Sequence, residues 1–124
     1  MKRVILVWSY EDKMDISDFI EKNDIAILVK ADLRNPRFEI IKKDIELEAY
    51  DLFEQLILFN SVENLADSIN GQLLPRIWAQ GNTKCVICQP NDEQIVVLFY
   101  NKCMDAKDNY FYAKQLDLQL KELF

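Results

Sequence analysis

The chain has 124 residues, half of them apolar and 29% charged, a balance suited to one folded unit with a buried core. Its 15 basic and 21 acidic residues leave a net charge of −6, which argues against nucleic acid or an anionic membrane surface as the main ligand. With only two glycines and three prolines, a loop-rich or disordered chain is excluded as well.

The first element expected is a strand at "VILVW" (4–8), a short continuous apolar run rich in β-branched residues. A polar stretch follows in which Ile16, Phe19 and Ile20 fall at helical spacing, with Asp15 or Ser17 placed to cap a short helix. "DIAILVKAD" (24–32) and "FEIIKKD" (38–44) read as strands on either side of a turn at Asn35-Pro36, and together form a hairpin. Beyond them the period changes. In "IELEAYDLFEQLILF" (45–59), Ala49, Leu52, Phe53, Leu56 and Phe59 fall on one helical stripe, which Leu47, Ile57 and Leu58 make unusually wide.

Asn60 and Glu63 have the spacing of a capping box, and they open a helix expected over 61–80. Val62, Leu65, Ala66, Ile69, Leu73 and Ile77 repeat along it at intervals of three and four. Gly71 and Pro75 would weaken or kink that helix. Two more strands follow, "TKCVICQ" (83–89) and "QIVVLFY" (94–100), joined by the turn-forming "PNDE". A final helix is expected from about 109 to 123, with Tyr112, Ala113, Leu116, Leu120 and Leu123 inward. The order β-α-β-β-α-α-β-β-α describes a single α+β domain over residues 1–124, with a mostly antiparallel sheet packed by three main helices.

Cys85 and Cys88 have the C-x-x-C spacing of zinc ribbons and thiol oxidoreductases. Val86 and Ile87 between them favour an extended strand, in which Cys85 and Ile87 face one way and Val86 and Cys88 the other. Thiols on opposite faces neither chelate one metal nor pair as a disulfide. With no histidine and one further cysteine, Cys103, the chain lacks a zinc ligand set and every histidine-dependent nucleophile. No Walker A loop, dinucleotide fingerprint or EF-hand loop is present. The expectation is a non-enzymatic protein with no cofactor and no metal.

Arg34 and Arg37, across the Asn35-Pro36 turn, are placed to meet a phosphate or a partner's carboxylate. An odd cysteine count and the lack of an export signal or of an apolar run near the ~20 residues that span a bilayer suggest a cytoplasmic setting.

The stretches "LADSINGQLLPRIWAQGNTKCVICQPNDEQIVVLFYNKC" and "YAKQLDLQLKELF" together resemble the roadblock/LC7 family: capped helix, glycine, strand, tight turn, strand, final amphipathic helix. The resemblance covers about half the chain. It implies a roadblock- or profilin-like fold and a non-catalytic scaffold that forms homo- or heterodimers through a helix and an edge strand. The implied partner is a small GTPase or another roadblock-like subunit. Carried onto this sequence, the dimer surface would comprise Leu65, Ile69, Leu73 and Ile77 of the helix, with Val86 and Cys88 of the strand.

Two other readings stand beside it. An acidic inhibitor, of the immunity-protein or antitoxin type, would grip a basic enzyme through Glu46, Glu48, Asp51 and Glu54. A small-molecule sensor would line a pocket with Trp8, Trp78, Tyr100 and Arg34.

Overall fold

The computed structural model describes residues 15–124. The expected strand at 4–8, and Trp8 with it, lie outside the described residues. The elements are helix α1 (Ile16–Lys22), strands β1 (Ile27–Asp32) and β2 (Arg37–Lys42), and helix α2 (Tyr50–Phe53), which continues as a π turn (Glu54–Leu58). After them come helix α3 (Val62–Ile69), strands β3 (Arg76–Gln80), β4 (Thr83–Asn91) and β5 (Gln94–Asn101), and helix α4 (Ala106–Leu123). The five strands form one antiparallel sheet in the order β2-β1-β5-β4-β3. The α+β expectation holds, with helices on both faces.

Strand alternation sorts the core into two layers. One face carries Ile27, Val29, Ala31, Cys85, Ile87, Ile95, Val97 and Phe99, covered by Leu52, Phe53 and Ile57 and by Val62, Leu65 and Ile69 of α3. Phe53 meets Phe99 edge-on, with ring centroids 5.3 Å apart. The opposite face carries Leu28, Val86, Cys88, Val96, Leu98 and Tyr100, covered by Phe19 and Ile20 of α1 and Ala113, Leu116 and Leu120 of α4. Each large side chain so buried contributes roughly 1.5–3 kcal/mol.

Caps set the helix starts. Asp15 Oδ1 accepts from the Asp18 N–H at 2.8 Å, and Asp105 Oδ1 from the Asp108 N–H at 2.8 Å, so α4 begins three residues earlier than expected. Before α3 the cap is Ser61, whose Oγ accepts from the Asn64 N–H at 3.1 Å, rather than the expected Asn60. Asn60 instead donates to the Leu56 carbonyl and accepts from the Ser61 N–H.

Two expected helices are corrected. The expected 61–80 helix stops at Ile69. Gly71 takes φ +76°, and Pro75 lacks the N–H a helix needs, so the chain re-emerges extended as β3. The helical spacing of Leu73 and Ile77 with Leu65 was coincidental. From 76 onward the period is two, with Ile77 packed on the α4 side and Trp78 paired across to Cys85 of the other layer.

The expected 45–59 helix begins only at Tyr50, and its second half is a π turn closed by Phe59 N–H to Glu54 C=O at 2.8 Å. The extra residue in that turn brings Ile57 into the core and leaves Leu58 and Phe59 exposed, Phe59 by 76%.

Among the buried polar residues Thr83, Lys84, Asn109 and Asp117, Asp117 is the one with an unpartnered side-chain atom. It lies on the sheet-facing side of α4, nearly buried, with Oδ2 3.3 Å from the Lys121 ammonium and Oδ1 without a partner among the described residues. An apolar residue of similar volume often matches or exceeds the stability of such a buried ion pair. Asp117→Leu is therefore expected to raise the unfolding free energy by about 1 kcal/mol, whereas Leu116→Ala beside it should lower it by roughly 3 kcal/mol. Urea denaturation of both variants checks this; a loss of stability in Asp117→Leu would show that the carboxylate is compensated in solution.

Candidate interaction surface

The C-x-x-C pair comes out as the strand pattern requires. Cys85 packs in the α2–α3 layer and Cys88 in the α4 layer, both as free, buried thiols. Burial pushes both thiols far above their ordinary range, and at Cys88 the neighbouring Asp117 carboxylate adds to the shift. Because the thiolate is the reactive form, neither is poised for nucleophilic or redox work. Cys103, by contrast, is exposed. Among the described residues no group of three or more histidine, cysteine, aspartate or glutamate side chains converges as a metal site. A thiol-reactive reagent at about pH 8 should label Cys103 alone in the native protein and all three cysteines in denaturant; native labelling of Cys85 or Cys88 would contradict this packing.

Of the sensor residues, Trp8 lies outside the described residues and the other three do not meet. Tyr100 is buried in the α4 layer and donates to Asn109 Oδ1 at 2.8 Å. Trp78 lies at the edge of the sheet on the other face, and Arg34 pairs in the β1–β2 turn with Glu93 at 3.1 Å. Arg37, on the β2 edge strand, is exposed.

What the fold does present is an edge. Among the described residues β2 and β3 bound the sheet, and each leaves one row of backbone N–H and C=O groups without a strand partner. In β3 the second half, Trp78–Ala79–Gln80, is exposed and carries no charge, and Arg76 is the one charged residue of the strand. Trp78 is 42% exposed, with the Arg76 guanidinium 5.2 Å from its ring. Leu73, in the connection leading into the strand, is 94% exposed. β2, by comparison, has charged residues at Arg37, Glu39 and Lys42. The ion pair of Lys30 with Glu39, at 2.7 Å, holds the Glu39 carboxyl below its usual range, through the hydrogen bond first and the lysine's charge second.

The residues expected at the dimer surface divide accordingly. Leu65 and Ile69 are buried beneath α3, while Val86 and Cys88 are buried in an inner strand, so all four are covered by the chain itself. β4, expected as the edge, lies between β3 and β5. Leu73 is exposed and Ile77 half-buried, and both lead onto β3. Trp78 was missed as an edge residue because its segment was read as helix; alternation over "RIWAQ" was the signal available.

The acidic residues lie elsewhere. Glu46, Glu48 and Asp51 are exposed, and Glu54 is half-buried on the π turn. The connector over 44–49 is pinned to the sheet by two side chains. The Ala49 N–H donates to Thr83 Oγ1 at 2.8 Å, the Glu48 N–H to Asn101 Oδ1 at 2.9 Å, and Asn101 Nδ2 to the Glu46 carbonyl at 2.7 Å. The Thr83 hydroxyl itself donates to Asn101 Oδ1 at 3.0 Å, joining the contacts into one clamp. Gln80 Nε2 reaches Asp51 Oδ2 at 3.2 Å, tying the start of α2 to β3.

No known family profile matches the chain, and no curated protein matches it by sequence. Among solved structures it is similar to Myxococcus xanthus MglB, at 10% identity and a TM-score of 0.48, over 86% of this chain and 88% of that one.

Thr83→Val keeps the shape of the clamp and removes its oxygen, leaving the Ala49 N–H unpaired. A loss of about 1–2 kcal/mol is expected, together with faster amide exchange at Glu48 and Ala49 than in the parent. Unchanged exchange there would mean that the connector is held by other contacts.

Proposed function

We propose that this protein is a non-catalytic, roadblock-like interaction module that dimerises through the β3 edge and offers the resulting scaffold to a small GTPase or a related signalling protein. The observation that carries the reading is β3 itself: an edge strand whose exposed half is uncharged, with a large aromatic side chain projecting from it. Two copies meeting there in antiparallel fashion would continue the sheet across the interface, and Trp78 would be the aromatic anchor that stable interfaces favour. Leu73 extends the apolar surface beside it. The dimer contacts are thus reassigned from the buried Leu65, Ile69, Val86 and Cys88 to Leu73, Ile77 and Trp78. The resemblance of the second half of the sequence to roadblock proteins supports the partner class.

In sedimentation analysis the parent chain is expected to dimerise with rising concentration, and Trp78→Glu to stay monomeric with an unchanged circular dichroism spectrum. A loss of 2 kcal/mol or more at one such anchor corresponds to roughly a thirtyfold weaker dimer. A dimer of equal strength in Trp78→Glu would exclude the β3 interface.

The clamp favours a second reading. It presents Glu46 and Glu48 on a connector whose backbone is already fixed, with Asp51 just beyond it in α2, and a preorganised acidic surface suits an inhibitor of a basic enzyme. Glu54, half-buried on the π turn, is the fourth anchor of that reading. Binding would then weaken steeply with salt and with neutralisation of these four residues.

A further inference from the structure

Where β1 begins and β2 ends, on the α2 side of the sheet, a cleft of about 460 Å³ opens beside the pinned connector. Its floor is apolar: Ile27 is 2% exposed and Leu47 is 8% exposed. Tyr50 stands at its rim, and the Lys42 ammonium lies 3.3 Å from the Tyr50 hydroxyl. That ammonium is 5.2 Å from the centre of the Tyr50 ring and 5.9 Å from that of Phe53. Asp44 and Glu46 line the cleft as well. Ion pairs among the described residues join Lys30 to Glu39, Arg34 to Glu93, Lys43 to Glu21 and Lys121 to Asp117, and none involves Lys42, Asp44 or Glu46. Lys43 lines the cleft too, with its ammonium paired to Glu21 at 3.1 Å. One cleft therefore joins buried apolar side chains, one aromatic wall, two lysines and two acidic residues, of which Lys42, Asp44 and Glu46 have no ionic partner among the described residues.

The volume falls within the range of small-molecule sites. Charge selects the ligand. A simple carboxylate drawn to Lys42 would face Asp44 and Glu46, and a simple amine drawn to those two would face Lys42. A molecule carrying both charges on one carbon, with an apolar tail, satisfies all the groups together. We propose that the cleft binds a free apolar α-amino acid, with its carboxylate on Lys42, its ammonium on Asp44 or Glu46, and its side chain against Ile27 and Leu47. The connector that lines the cleft runs directly into α2, which Gln80 ties to β3. The cleft lies at the β1–β2 side of the sheet, across it from β3, and the binding does not depend on that edge being an interface.

Titration of the ¹⁵N-labelled full chain with L-phenylalanine, 3-phenylpropionate and 2-phenylethylamine separates the charge requirements. L-Phenylalanine is expected to shift the amides of residues 42–50 saturably, with a Kd of about 1 mM or tighter. Each single-charge analogue should bind at least about tenfold more weakly, having lost a charge-assisted hydrogen bond. Lys42→Gln should weaken L-phenylalanine by a similar factor while the spectrum elsewhere is retained. The proposal is overturned if those amides show no saturable response up to about 20 mM, if either analogue binds as well as the amino acid, or if Lys42→Gln binds it undiminished.

Discussion

Six consecutive buried residues, Ile95 to Tyr100, are the constraint on which the rest of this structure depends. β5 is the middle strand of the sheet, hydrogen-bonded to β1 on one side and β4 on the other. Its side chains alternate between the two apolar layers, so neither layer can be solvated without exposing half of them. α4 must cover Val96, Leu98 and Tyr100, while α2, its π turn and α3 must cover Ile95, Val97 and Phe99. Once both faces are closed, the remaining freedom lies at the sheet's edges and in the connections that cross its ends. The candidate functional surfaces are found there.

The polar clamp follows from that arrangement. Thr83 opens β4 and Asn101 closes β5, so the antiparallel pairing brings them face to face at one end of the sheet. Their side chains satisfy backbone groups of a connector that has no regular structure of its own. This contact fixes the backbone of 44–49, which carries Glu46 and Glu48 and lines the cleft. The buried cysteines belong to the same logic of alternation: their spacing matches chemical motifs, but the strand sends them to separate layers and burial holds them as neutral thiols.

Much of the fold was legible in the sequence because its strands have unmistakable patterns. "DIAILVKAD", "TKCVICQ" and "QIVVLFY" all became strands, and the inward stripe Ala113–Leu116–Leu120 of the last helix is fully buried. The second half of the 61–80 segment was not legible in the same way. Five residues of "RIWAQ" fit a helical count with Leu65 and Ile69 as well as they fit alternation, and only the chain reversal through Gly71 and Pro75 settles the choice. That one misreading also hid the candidate surface, since it placed the edge at the inner strand β4. The π turn was equally invisible: "IELEAYDLFEQLILF" gives no local sign of one extra residue per turn, and its effect is to exchange Ile57 for Leu58 and Phe59 in the core.

In the proposed dimer, β3 of one copy pairs with β3 of another. Amide hydrogen exchange of residues 76–80, followed over a series of protein concentrations, tests it most directly. The backbone N–H groups of β3 that point away from β4 should become protected as concentration rises, while amides of β5 stay protected throughout. Exchange at those outward amides that is fast and independent of concentration would contradict the account.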